Sequence, residues 1–181
     1  MKTLTTMAAA AVGSVLLTAV PVRAALNVVT TIQDMASIAQ EVGGDKIKVT
    51  ALAKGYQDPH FVEAKPSFVL ILNKANLLIV VGRDLEIGWL PPLITQSRNA
   101  KIQPGAEGYL DPSTSARILD LPTGAITRAE GDVHPLGNPH YWLDPENGRR
   151  IAKAIEGKLS QLDAANAAYY AQREEDFEKR L

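Results

Sequence analysis

Residues 26–52 read LNVVTTIQDMASIAQEVGGDKIKVTAL, and a change of period within this stretch decides the fold class. Leu26 to Ile32 is a β-branched run of the kind that forms a buried strand. From Gln33 to Val42 the apolar residues Met35, Ile38, Ala39 and Val42 fall on one helical face. Gly43-Gly44 ends that helix, because glycine readily takes the backbone conformation needed just past a helix end. Lys46 to Leu52 then alternates polar and apolar with period two, a second strand. Strand, helix and strand in succession form the unit of a parallel sheet, since two parallel strands need a crossover between them.

The alternation continues downstream. A loop opens at Lys54 and runs through Gly55 and Pro59, and Pro66-Ser67 starts a short helix reaching Lys74. Leu77 to Val81 (LLIVV) is a continuous apolar run closed by Gly82, the mark of a strand buried on both faces. Leu85 to Gln96 has helical character that Pro91-Pro92 must break or kink. Residues 99–139 are rich in Pro and Gly and read as loops with one or two short strands. Asp144-Pro145 is an N-cap with proline at the first helical position, and Ile151, Ile155, Leu159 and Leu162 then stack on one face. Asp163 caps a further helix through Ala164, Tyr169 and Phe177. No stop signal follows at Arg180-Leu181, so it reads as a long helix truncated in mid-element, with Ala165, Ala168, Tyr169 and Phe177 forming an uncovered stripe. The expectation is an α/β layered domain with a mostly parallel sheet flanked by helices. Ligands of such sheets gather at the loops beyond the carboxyl ends of the strands.

The chain has 181 residues, enough for one domain with a real core and too few for two comfortable ones. Met1 to Ala24 has the three parts of a secretory signal peptide: Lys2, an apolar stretch from Met7 to Val20, and Val22-Arg23-Ala24 as an A-x-A-like cleavage site. The apolar stretch is shorter than the ~20 residues that span a bilayer, and Gly13 and Pro21 interrupt it. Removing the leader takes away Lys2 and Arg23 and no acid, moving the net charge from −1 to −3. A mildly acidic chain has no electrostatic footprint for nucleic acid. There are no cysteines, so neither a disulfide, nor a thiolate metal site, nor a lipid anchor on cysteine is expected. The expected product is exported, periplasmic and not embedded in the membrane.

The three histidines, His60, His134 and His140, all lie in loops. His60 and His140 each directly follow a proline, in Asp58-Pro59-His60-Phe61 and Asn138-Pro139-His140-Tyr141-Trp142-Leu143-Asp144-Pro145. Neutral imidazole is the commonest protein ligand for zinc and related metals, and a rigid aromatic-flanked loop suits such a site. On spacing alone the three are equally compatible with unrelated surface residues, because no compact motif such as H-E-x-x-H is present. Glu63 is a further candidate ligand, an acceptor behind one, or a solvated acid. Asp58 shapes the turn before Pro59. Asp84 and Glu86 follow the strand end at Gly82 and are placed toward the same cleft. Ser113, Thr114 and Ser115 lack the context of a nucleophile elbow, and Trp89 and Trp142 read as packing residues.

The stretches VVTTIQDMASIAQEVGGDKIKV (28–49), DPHFVEAKPS (58–67), NLLIVVGRDLEIGWL (76–90), GNPHYWLDPEN (137–147) and LDAANAAYY (162–170) resemble, in order and spacing, the zinc/manganese solute-binding proteins of ABC importers, a family that includes adhesin-type lipoproteins. The resemblance implies two α/β lobes joined by a long rigid helix, with metal bound between them. Residues 25–162 would be the N-terminal metal-binding lobe and 163–181 the start of the connecting helix, with the C-terminal lobe absent. His60 and His140 match the family's first two metal ligands. The implied function is capture of a divalent transition metal, Zn2+ or Mn2+, for delivery to the permease of an ABC importer, without catalysis. The long His-rich loop of many zinc members is missing, and His134 alone stands in that region. Two rival readings are a secreted zinc hydrolase with Glu63 as its base, and a truncated product without metal function of its own.

Overall fold

The computed structural model describes residues 24–124 and 134–181; the proposed leader lies outside the described residues but for Ala24. Strand β1 (Leu26–Thr30) leads into helix α1 (Gln33–Gly43) and strand β2 (Ile47–Ala51). Helix α2 (Pro66–Asn73), strand β3 (Leu77–Ile79), helix α3 (Leu90–Ser97) and the short strand β4 (Tyr109–Leu110) follow. Helices α4 (Pro145–Leu162) and α5 (Ala167–Arg180) complete the order. The four strands make one sheet in the order β2-β1-β3-β4, and each adjacent pair is parallel.

The sheet has a core on each face. Val28, Leu77, Ile79 and Val81 point toward α1, α4 and α5, while Val29, Leu78 and Val80 point toward α2 and α3. Successive side chains of a strand face opposite ways, so LLIVV feeds both cores. Alternation at β2 is weaker: Ile47 is buried, Lys48 exposed and the rest half-buried, as befits an edge strand.

Two expectations need correction. Leu85 to Gln96 is not one helix broken at its prolines. Residues 83–89 are turns and α3 begins at Leu90, with Pro91 and Pro92 inside its first turn, where backbone N–H groups have no intrahelical partner to lose. The stripe expected to be open on the last helix is covered at two of its four residues. Tyr170 is fully buried, and Tyr169 and Phe177 pack against the core shared by α1 and α4; Ala165 and Ala168 are exposed.

Because all four strands run the same way, the segments that leave them share one edge of the sheet. His60 lies beyond the end of β2, Trp89 beyond β3, and His134 and His140 in the approach to α4.

Candidate metal centre

The loop from β2 is held down before it reaches His60. Leu52 and Ala53 are buried and donate their backbone N–H groups to Thr30 and Thr31, prolonging the ladder past the strand. Val62 is buried just after the histidine, and the Trp89 indole Nε1–H donates to the Pro59 carbonyl at 2.9 Å. Asp58 then accepts twice through Oδ1: from the His60 backbone N–H at 2.9 Å and from the ring Nδ1 at 2.8 Å.

His140 is built the same way. Asn138 Oδ1 accepts from the His140 backbone N–H at 3.0 Å and lies 3.0 Å from the ring Nδ1. Asn138 Nδ2 donates to Asp120 Oδ2 at 3.1 Å, which decides that the carbonyl end of the amide faces the ring. The next residue, Tyr141, is buried and donates its hydroxyl to the Val81 carbonyl, pinning the segment to the end of β3. Asn147, also buried, ties α4 back by donating to the Tyr141 and Arg117 carbonyls and accepting from the Arg117 N–H.

An Asp carboxylate and an amide carbonyl only accept hydrogen bonds, so Nδ1 carries the proton in both neutral rings. The lone pair therefore sits on Nε2, which a metal needs. A ligating histidine is ordinarily supported in this way through its other nitrogen.

The structure brings all three imidazoles together. Ring centroids are 5.2 Å apart for His60 and His140, 5.3 Å for His60 and His134, and 5.8 Å for His134 and His140. All three are half-buried, and Trp142 lies 5.4 Å from the His140 ring. Burial, followed by the proximity of His60 and His134, lowers the His140 pKa from its ordinary value. The Asp58 carboxyl is likewise lowered, by the hydrogen bonds from the His60 backbone and ring. Among the described residues no three His, Asp or Glu side chains already stand arranged around an ion position.

Other candidates fall elsewhere. Glu63 is exposed beside Lys65, at 3.9 Å, as a solvated acid. Glu86 is buried, accepts from the Val81 and Gly82 N–H groups, and has its pKa raised by burial; it braces the end of β3. Asp84 is exposed, with its φ at +61°. Both line a cavity of about 310 Å³ with Arg83, Tyr109, Asp111 and Leu136, and no histidine reaches it. Sequence reasoning gave no role to Asn138, Tyr141, Asn147 or Arg83. The repeated Asx-Pro-His triplet at 58–60 and 138–140 was the signal available for Asn138.

Residues 28–181 match the family described as "Zinc-uptake complex component A periplasmic". The metal ABC transporter substrate-binding lipoprotein of Lactococcus lactis subsp. lactis is 32% identical over 86% of this chain and 47% of its own length. The manganese ABC transporter substrate-binding lipoprotein PsaA of Streptococcus pneumoniae serotype 4 is 29% identical over 86% of the chain and 48% of its own. A zinc-bound ZnuA deletion mutant superimposes with a TM-score of 0.72 at 26% identity, covering 86% of this chain and 54% of that one. A manganese-bound periplasmic metal binding protein of candidatus liberibacter asiaticus shares the fold, with a TM-score of 0.68 at 19% identity, over 86% of this chain and 52% of that one. The chain thus spans about half the length of these relatives.

Proposed function

The chain belongs to the periplasmic zinc-uptake complex component A family, and on that premise we propose that it captures a divalent transition metal for delivery to an ABC importer, with His60 and His140 as ligands. One observation carries this reading. Two histidines distant in sequence present their rings 5.2 Å apart, each with Nδ1 engaged by an Asx side chain, which leaves the lone pair of the neutral ring on Nε2.

The donor chemistry favours zinc over manganese. Imidazole nitrogen suits zinc, whereas manganese prefers carboxylate and carbonyl oxygen. Asp58, the nearest acid, is engaged by the His60 ring, and Glu63 is turned to solvent beside Lys65. The role is binding without catalysis: Glu63, the only base proposed for a hydrolase, forms an exposed ion pair. Export through the leader at 1–24 and a place in the N-terminal lobe of a two-lobed protein belong to the same proposal. Among the described residues no helix is long and apolar enough to cross a membrane.

The test is zinc titration of the chain at neutral pH in competition with a chromophoric chelator. The expected dissociation constant is about 1 μM, equivalent to about −8 kcal/mol. His60→Ala and His140→Ala should each weaken binding at least ~100-fold. Wild-type affinity in both variants would sink the assignment.

A further inference from the structure

His134 shares the face of the other two imidazoles and has no part in the function proposed above. Three features set it apart from a passing loop histidine. The first is distance. With zinc–nitrogen bonds of ~2.0–2.1 Å, ring centroids sit about 3.2 Å from the ion, and two rings at a tetrahedral angle have centroids about 5.2 Å apart. The three observed separations, 5.2, 5.3 and 5.8 Å, all lie near that value.

The second feature is the backbone that carries it. The His134 carbonyl accepts from the Gly137 N–H at 3.0 Å, closing a turn in which Gly137 has φ +87°. A Cβ at Gly137 would run into Ile118, Leu121 and the Leu119 carbonyl, so the turn requires glycine. Two clamps hold the same turn: Asn138 N–H donates to the Leu119 carbonyl at 2.9 Å, and Arg83 Nη1 donates to the Leu136 carbonyl at 3.2 Å. His134 is therefore presented by an anchored turn.

The third feature is in the sequence. Every histidine of this chain stands two residues after an Asp or Asn: Asp58 before His60, Asp132 before His134, Asn138 before His140. At His60 and His140 this spacing places an acceptor on both the backbone N–H and Nδ1. Asp132 lies outside the described residues, and only its spacing enters here.

We propose that His134 is a third protein ligand, supplied by the same lobe, of the ion held by His60 and His140. The inference rests on the proposed function and adds a determinant of metal choice. His134 now lies stacked on His60, with 25° between the ring planes, so the three donors do not yet converge. The third ligand therefore requires the His134 ring to leave its stack on His60 and turn a nitrogen toward the shared position. A third nitrogen donor strengthens zinc binding and does little for manganese.

The experiment compares the chain with His134→Ala, His134→Asp, His60→Ala and His140→Ala. The readouts are Zn2+ and Mn2+ affinities by chelator competition and the visible absorption of bound Co2+, whose intensity reports four-coordinate geometry. His134→Ala should weaken zinc about tenfold, leave manganese within about threefold and lower the Co2+ band intensity. His134→Asp restores a donor of the other kind, so it should recover manganese binding above wild type while zinc stays weaker. Zinc affinity within twofold of wild type in both His134 variants, with an unchanged Co2+ spectrum, would overturn the third ligand while losses at His60 and His140 kept the proposed function intact. Equal binding by all five proteins would defeat both.

Discussion

At His60 and His140 one local device does two jobs. The Asx side chain two residues upstream stiffens the turn through the backbone N–H and orients the ring through Nδ1. Removing it should cost metal affinity without touching a ligand: Asp58→Ala is expected to weaken zinc binding roughly 10–100-fold in chelator competition, with the folded state intact by circular dichroism. An unchanged affinity would mean that Pro59 and Trp89 alone hold the ring. The pH dependence follows from His140. Its folded pKa lies below the unfolded value of ~6.5, so the unfolded state takes up the proton first as pH falls. Its contribution to stability is complete above ~6.5 and is lost as pH drops from there to the lowered folded pKa. Asp58, held below the carboxylate range, stays charged through that window. Metal-free wild type should therefore lose more of its denaturant midpoint between pH 7 and pH 5 than His140→Gln does. Parallel loss in the two proteins would rule out this linkage.

Among the elements, the turn after β3 decides where the histidine loop sits. Gly82, Arg83 and Asp84 all have positive φ, at +79°, +54° and +61°. A Cβ on Gly82 would overlap the Asp111 carboxylate. The turn sends the Arg83 guanidinium back across the sheet edge to the carbonyls of Leu136 and Ser113. Gly82→Ala combines backbone strain with that overlap and should destabilise the protein by about 2–3 kcal/mol in urea unfolding. Arg83→Met, which keeps the packing stem, should weaken zinc binding several-fold with a smaller loss of stability. A purely structural arginine would change only the unfolding midpoint. Pro91-Pro92 shows why this region was hard to read from sequence. Proline is disruptive inside a helix and harmless in its first turn, so its meaning depends on where the helix starts, and that is set by the turn at 83–89.

Over the whole molecule, one parallel sheet separates two cores, and the last helix completes one of them. Tyr170 is fully buried and donates its hydroxyl to Asp163 at 2.8 Å, while Arg173 and Arg180 reach the Glu41 carbonyl and carboxylate on α1. Tyr170→Ala should therefore destabilise the chain by about 3–5 kcal/mol, in the range of buried aromatic truncations. A loss below 1 kcal/mol would show that α5 is peripheral to the core.

The strand–helix alternation, the two-faced burial of the run LLIVV, of which Leu77–Ile79 forms β3, and the cap at Asp144-Pro145 were legible in the sequence because each depends on neighbours within a few residues. The two-residue step from Asx to histidine is equally local, yet only Asp58 was read as shaping its turn, and the acceptor role of Asn138 emerged from the structure. That His60 and His140 share one end of the sheet was expected from the resemblance and from parallel-sheet architecture, whereas only tertiary structure decided that His134 joins them. Parallel strands deliver their exits to one edge of the sheet, and Trp89, Tyr141 and Arg83 pull loops far apart in sequence onto it. The covering of Tyr169 and Phe177 was likewise settled by α1 and α4, since an apolar helix face specifies that it must be buried but not by what.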